Sequence, residues 1–383
     1  MTEPDEYPIR VLMTTPRYLP EVGGVEHYVY QVARRLVQQG VSVTVLTTDV
    51  SRTLPPNEVR DGIRIRRVPA WPARRDYHFA PRIFTEITRG EWDIVHVQSY
   101  HTFVAPIAML AARRAGLPYV LTFHGGGHSS RLRNLVRRSQ RRALRSSLAR
   151  ADRLIALAQF EVDLYGTELR LPRGRFAVIP IGTDLAPPID ARDGHSTQTL
   201  IASVGRLEKY KGHQRLIAAL PRILQGRPDA RVWLAGSGPY ESDLRRLADR
   251  LGVSERVQIA SIPVGERERM ARELSKASLV VLLSEYETQP AAVLEALALG
   301  RPALVADTSG LSELAQRGLA RAVPLESTPE DIAAAVLEEL ERPHVTAPPD
   351  LPTWDDCASA LLGLYRSVLG KRRRQGRPGS RLE

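Results

Sequence analysis

Residues 9–37 read IRVLMTTPRYLPEVGGVEHYVYQVARRLV. Ile9 to Thr15 form a short apolar run that reads as a buried strand, and Gly23-Gly24 punctuate the chain after it. Val25, Val29, Val32, Leu36 and Val37 then recur with a helical period. A buried strand, a glycine turn and an amphipathic helix are the opening half of a βαβ unit. Similar Val/Ile/Leu runs occur at 41–47 (VSVTVLT), 93–97 (DIVHV), 119–123 (YVLTF), 153–158 (RLIALA) and 176–180 (FAVIP). Longer stretches separate them, the rhythm of a parallel sheet covered by helices. The polar stretch 184–198 (DLAPPIDARDGHSTQ) interrupts it as a linker would.

A second series begins with TLIASVG (199–205), ARVWLAG (230–236), SLVVLL (278–283) and RPALVAD (301–307), with helices near 213–225, 240–251, 291–299 and 329–341. WDDCASALLGLYRSVLG (354–370) reads as an amphipathic closing helix. The expected fold is therefore α/β, with two doubly wound Rossmann-like domains over 1–190 and 191–350, a closing helix over 351–370 and a basic disordered tail over 371–383. No repeat of 20–50 residues is visible.

The 383 residues are 43% hydrophobic and 25% charged, ordinary for globular domains. No apolar run approaches the ~20 residues that cross a bilayer. MTEPDEYPIR at the start is acidic and lacks the apolar segment of a signal peptide. Cys357 is the single cysteine, so no intrachain disulfide or thiolate cluster can form. The expected location is the cytoplasm.

The net charge of +11 resembles a nucleic-acid signal, but its distribution argues against one. Segment 131–150 holds eight Arg and no acid, and 371–383 carries a net +5, which leaves the other 350 residues near −2. Only two local patches are basic. In 131–150, Leu132, Val136, Leu144 and Leu148 form an apolar stripe widened by Leu135 and Ala143, beside a row of Arg137, Arg141 and Arg145. Two readings stay open for this helix. It packs on its own domain, or it joins the tail in peripheral contact with anionic lipid at the inner membrane face.

In open α/β sheets, ligands bind beyond the carboxyl ends of the strands. On the first such edge, Gly23-Gly24 precede a helix whose N-terminus can face an anion. A diphosphate contact and a plain tight turn are both open there. On the second, Gly205-Arg206-Leu207-Glu208-Lys209-Tyr210-Lys211-Gly212 places two cations, Arg206 and Lys211, near a helix start. The third runs from Glu285 to Pro290 into a helix, with Glu287 at its start and Glu295 about two turns along among apolar residues. An acid there needs a partner: a ribose diol or a buried structural ion pair. Gly236-Ser237-Gly238 begins like a dinucleotide fingerprint, but Glu241 stands where its third glycine belongs. His124 and His128 lack the further ligands of a metal site.

In this order the three edges resemble the retaining glycosyltransferases of the GT-B fold, glycosyltransferase family 4. Gly23-Gly24-Val25-Glu26 resembles the family's glycine-rich donor loop, DIVHVQS (93–99) its D-I-V-H-x-H element, and Thr122-Phe123-His124-Gly125 its His-containing loop. VIPIGTD (178–184), GRLEKYKG (205–212), AGSGP (235–239) and the Glu287…Glu295 pair with Gly300-Arg301-Pro302 complete the likeness.

The resemblance implies two domains facing a cleft, with the closing helix returning to the N-terminal domain. It implies a nucleotide-diphosphate sugar as donor, no metal or other cofactor, and a small molecule, glycan or lipid as acceptor. Arg206 and Lys211 would hold the diphosphate, Glu295 the ribose and Glu287 the sugar, with Gly24 contacting phosphate through its backbone. His124 would approach sugar and acceptor; it and Glu287 are the implied catalytic residues. The alternative is a non-catalytic relative that binds nucleotide sugar as scaffold or sensor. The chain departs from the family at three points: Pro290 ends the sugar-gripping loop that is glycine-rich in the family, Ile181 stands for an Asn, and Gln98 stands for a His.

Overall fold

The computed structural model describes residues 8–21, 23–72, 78–125, 131–183, 185, 198–263 and 265–375. The chain divides into two units, with the main break between Gly182 and Thr183 and a return at Thr353. This places the division eight residues before the expected 190, and within the first unit lies everything described from Thr353 onward. Most of the expected linker, residues 184 and 186–197, lies outside the described residues, as do His128 and the tail 376–383.

The first unit opens with β1 (Arg10–Thr14), α1 (Gly24–Gln38), β2 (Ser42–Asp49), β3 (Asn57–Arg60), β4 (Ile63–Pro69), α2 (Arg82–Arg89) and β5 (Ile94–Gln98). It continues with α3 (Val104–Arg114), β6 (Tyr119–Thr122), α4 (Arg131–Arg150), β7 (Arg153–Ala156), α5 (Gln159–Leu169) and β8 (Phe176–Val178). The sheet order is β3-β4-β2-β1-β5-β6-β7-β8. All neighbours are parallel except β3 with β4. That hairpin was not expected from the hydrophobic pattern, because β3 is polar and sits at the edge. Its signal is local: Asp61-Gly62 both take positive φ, at 51° and 76°, as a type I′ turn demands.

The second unit holds β9 (Leu200–Val204), α6 (His213–Gly226), β10 (Arg231–Ala235), α7 (Glu241–Arg250), β11 (Val257–Ile259) and α8 (Arg267–Ser275). It goes on through β12 (Leu279–Leu282), α9 (Ala291–Ala298), β13 (Ala303–Ala306), α10 (Ser309–Gln316), β14 (Arg321–Val323) and α11 (Pro329–Glu341). Its all-parallel order is β11-β10-β9-β12-β13-β14. α11 starts where its sequence says it must: Thr328 and Asp331 form a reciprocal capping box and Pro329 fills the first turn.

The last helix, α12 (Trp354–Gln375), runs five residues past the expected end at 370, so the basic segment begins inside it. Trp354, Cys357, Leu361, Tyr365 and Val368 repeat at i+3 and i+4 and are buried on the face of the first sheet that carries Val11, Met13 and α1. Leu12 points to the opposite core with α2 and α3, as strand alternation requires. Each large apolar side chain buried this way contributes roughly 1.5–3 kcal/mol. The helix is thus the cover of one sheet face.

α12 also explains His96. Tyr365 Oη lies 2.6 Å from His96 Nδ1 and Thr122 Oγ1 lies 2.7 Å from Nε2, with His96 wholly buried. Burial, with His124 nearby, lowers its pKa to about 3. The unfolded chain therefore takes up this proton first as pH falls. The stability contributed by neutral His96 is complete above its unfolded pKa of ~6.5 and is lost on the way to pH ~3. Between pH 6.5 and 4.5 this amounts to about 2 kcal/mol. In denaturant melts, His96→Asn should show a pH slope shallower by close to one proton. Identical slopes would overturn this account.

The basic segment 131–150 is one helix, and two members of its charged row make contacts within the unit. Arg141 pairs with Glu168 and donates to Tyr100 Oη at 2.8 Å, and Arg145 Nε donates to the Leu169 carbonyl at 2.7 Å. Leu148 is buried and Leu144 packs beside the core, whereas Ala143 is exposed and does not widen the stripe. The side chains of Leu132, Leu135, Val136 and Arg137 lie outside the described residues. Arg372 is likewise used within the unit, on Asp152 at 3.0 and 3.1 Å. A guanidinium engaged in a fold contact has less to offer a phosphate headgroup. No helix among the described residues is long and apolar enough to cross a membrane.

Candidate active site

In the second unit β9 is flanked by β10 on one side and β12 on the other. Connections leave these neighbours in opposite directions, which opens a crevice at their carboxyl ends. β9 and β12 pair only at Ile201–Leu279 and Ala202–Val280. Beyond that the loops 205–212 and 283–290 meet. A 3₁₀ turn, Lys209–Lys211, ends at Gly212, which caps α6 with φ 76°. A Cβ on Gly212 would lie 1.9 Å from the Leu283 carbonyl oxygen, so only glycine lets the loops touch. The Glu285 amide donates to the Tyr210 carbonyl at 2.8 Å.

This docking puts Lys211 Nζ 2.6 Å from Glu287 Oε1, and the Ser284 hydroxyl donates to the same oxygen at 2.8 Å. Both side chains of the pair are largely buried, at 16% and 10% exposure. Burial opposes the lysine's charge, but the Glu287 carboxylate and Tyr210 outweigh it and raise its pKa. Lys211 is therefore a fixed cation at neutral pH. Glu287 is clamped from the far side as well. Its amide donates to Ser309 Oγ at 2.8 Å, and its carbonyl accepts from the Gly310 amide at 2.9 Å. A Cβ on Gly310 would meet the Thr288 carbonyl at 2.2 Å. The site is preorganised by backbone contacts, the condition for charge stabilisation without reorganisation.

The other expected residues of this unit are placed differently. Arg206 is 74% exposed and pairs with Glu208 at 2.9 Å, so it is not gathered with Lys211. Below it His213 is buried, with Nδ1 2.9 Å from Ser203 Oγ and Nε2–H facing the Arg206 carbonyl at 3.3 Å. Glu295 sits on α9 in an ion pair with Arg267 at 2.7 Å. The partner that its apolar surroundings demanded is thus an arginine from α8, distant in sequence. Pro290 caps α9 and has no N–H to give. Ser284, Ser309, Gly310 and Arg267 were not singled out by sequence; nothing local distinguishes them, because their role comes from strand order. Among the described residues no three His, Cys, Asp or Glu side chains group as metal ligands.

In the first unit, Gly24 opens α1 after the extended Gly23. A Cβ on Gly23 would come 2.5 Å from Glu26 Oε2, so the carboxyl folds back over the helix start. Burial raises the pKa of Glu26, opposed by hydrogen bonds from the amides of Glu26 and Gly23. This is the returning half of a capping box, and it sets an acid beside the expected phosphate contact. A Cβ on Gly24 would meet nothing within 4 Å. His124, just after β6, has Nε2 2.8 Å from Gln98 Oε1 and its ring edge-on to Tyr28 at 4.8 Å. Burial, then His101, lowers its pKa to about 3.

Comparison with known proteins agrees with this frame. Residues 22–187 match the family model described as Glycosyltransferase Family 4, and residues 189–347 the one described as Glycosyl transferases group 1. The D-inositol 3-phosphate glycosyltransferase of Nocardiopsis dassonvillei is 29% identical over 411 residues, covering 94% of each chain. Sucrose-phosphate synthase from Thermosynechococcus elongatus superposes with a TM-score of 0.69 at 20% identity, over 96% of this chain and 98% of that one. Anabaena HepE in complex with UDP-glucose gives 0.69 at 18% identity, over 96% and 99%. These structures share the GT-B fold. The two family models together cover most of the chain, which belongs to glycosyltransferase family 4 and is a glycosyltransferase of the GT-B fold.

Proposed function

We propose that this enzyme moves a sugar from a nucleoside diphosphate sugar to a hydroxyl of a small phosphorylated acceptor, with retention and without a metal. The observation that carries the reading is the buried Lys211–Glu287 pair held at the switch point of the second unit. Lys211 Nζ has three N–H bonds and spends one on Glu287. Its remaining donors suit a diphosphate oxygen, and Glu287 suits sugar hydroxyls. Arg206, on the same loop and exposed, adds a second cation to the diphosphate. Glu295 takes the ribose, with Arg267 orienting its carboxylate. Gly24 supplies a backbone contact to phosphate and His124 a contact to the sugar.

In the reaction the bond from the anomeric carbon to the phosphate oxygen breaks, and an acceptor oxygen bonds to the same face. The acceptor's proton passes to the departing phosphate. Negative charge grows on that phosphate, and fixed cations there lower the barrier. No D-x-D triplet occurs in the sequence, and Lys211 and Arg206 do the work a divalent ion does elsewhere. The names of the relatives support the substrates: one acts on D-inositol 3-phosphate and HepE binds UDP-glucose.

The test is transfer from UDP-, GDP- and ADP-sugars to inositol 3-phosphate in excess EDTA, with the product's anomeric configuration read by NMR. Transfer with retention is expected. Activity that vanishes on chelation and returns with magnesium would overturn the metal-free part, and an inverted product the retaining part.

A further inference from the structure

Gln98 ends β5 and is 1% exposed. The next residue, Ser99, is a buried non-glycine held at φ 67°, with its amide donating to the Thr122 carbonyl at 2.9 Å. A left-handed conformation at a serine is costly and persists where surroundings impose it. It turns the chain sharply so that Gln98 stays in the sheet beside the end of β6. There Gln98 Oε1 meets His124 Nε2 at 2.8 Å, while Gln98 Nε2 is buried with no hydrogen-bond partner among the described residues.

We propose that Gln98 is a positioning residue for His124: it holds the neutral imidazole in the Nε2–H form and leaves the Nδ1 lone pair for a ligand hydroxyl. An amide oxygen can only accept, so His124 must donate through Nε2. Turning the amide over would orphan its oxygen instead and reverse the tautomer, so the tautomer reports the contact directly. Among the described residues the one hydrogen bond to the His124 ring is that at Nε2.

The groups around the ring fit a neutral imidazole. Gln98 on β5 carries no charge. Tyr28 on α1 presents its ring edge-on. His101 Nε2–H donates to the His124 carbonyl at 3.1 Å, and His96 lies close by on β5, itself wholly buried. Among the described residues no carboxylate is hydrogen-bonded to the ring. His124 so held is an acceptor for a hydroxyl, not a cation for a phosphate. This gives each unit its own chemistry: hydroxyl recognition at His124, diphosphate recognition at Lys211.

The kinetic half of the test rests on the transfer reading above, whereas the spectroscopic half does not. In the intact protein with ring-labelled histidine, the His124 signals, assigned by their loss in His124→Gln, should show protonation at Nε2 and no titration from pH 5.5 to 8.5. Q98E places a carboxylate at the same point and should bring the His124 midpoint up to about pH 5–6. Q98L should mix the tautomers and lower kcat about tenfold, with free UDP affinity within about twofold. Q98H, which offers a ring nitrogen as acceptor, should recover most of kcat. A proton on Nδ1 in the unaltered protein, or Q98L kinetics equal to the unaltered enzyme, would overturn the assignment. If no nucleotide sugar supports transfer at all, the functional reading fails and the tautomer alone decides the Gln98 contact.

Discussion

Replacing Lys211 by Met should lower kcat/KM for transfer about a hundredfold. A charge-assisted hydrogen bond to a phosphate contributes roughly 1.5–3 kcal/mol. Glu287, 2.6 Å from the lysine in the intact protein, would then face the incoming diphosphate with its own charge uncompensated. Stability should fall too, by about 3 kcal/mol, because breaking a largely buried pair strands one charge. The double variant K211M/E287Q separates the effects. It removes the stranded carboxylate, so its melting temperature should recover while turnover stays low. Should turnover return along with stability, Lys211 would be a structural residue only. Lys209, exposed on the same turn, supplies the control: K209M should leave both properties close to unchanged.

The other large effect is expected at Gly212, through the backbone alone. Gly212→Ala puts a methyl where the Leu283 carbonyl oxygen stands, at 1.9 Å, and at a positive φ that alanine disfavours. Overpacking costs roughly 1–3 kcal/mol and a left-handed non-glycine residue about 1–2 more. For a unit of this size the melting temperature should fall by about 5–15 °C. The loop can relieve the clash only by leaving β12, which would pull Lys211 from Glu287, so free nucleotide diphosphate should bind at least tenfold more weakly. Gly252→Ala is the matched comparison. Gly252 also has positive φ, 68°, but its added methyl would meet nothing within 4 Å. It should lose only the conformational part, with nucleotide affinity intact. Equal losses in both variants would show that the Gly212–Leu283 contact does not position the site.

Both predictions turn on contacts between loops that the sequence shows only singly. The strands themselves were legible because a parallel sheet covered on both faces demands continuous apolar runs, and β1, β2, β5, β9, β10, β12 and β13 carry them. Strands without such a run were passed over. β3 is polar, while β11 (VQI) and β14 (RAV) are interrupted by polar residues, unlike the equally short β8 within FAVIP. The turn chemistry at Asp61-Gly62 held the missing information for β3 and β4. Helices were clearest where an apolar stripe and a cap coincide, as in α11, whose observed span agrees with the expected one.

For the site, the amino-acid sequence by itself determined which groups could do chemistry: two cations on one glycine-bounded loop, two carboxylates on one loop–helix unit, and a histidine after a strand. Residue type, glycine placement and order along the chain carry that much, because each loop follows its own strand. Tertiary structure decided which of them meet. Lys211 reaches Glu287 because β9 and β12, far apart in the chain, are neighbours in the sheet. Arg206, five residues from Lys211, turns instead to Glu208. Glu295 finds Arg267 on a helix that no local pattern ties to it. Gln98 shows the same rule in the first unit. The resemblance to the family marks it as standing for a histidine, but its contact with His124 exists only because β5 pairs with β6. Hydrophobic periodicity reports burial along one segment. Strand order is settled by how all the segments share two cores, and the pairs at the candidate site follow from strand order.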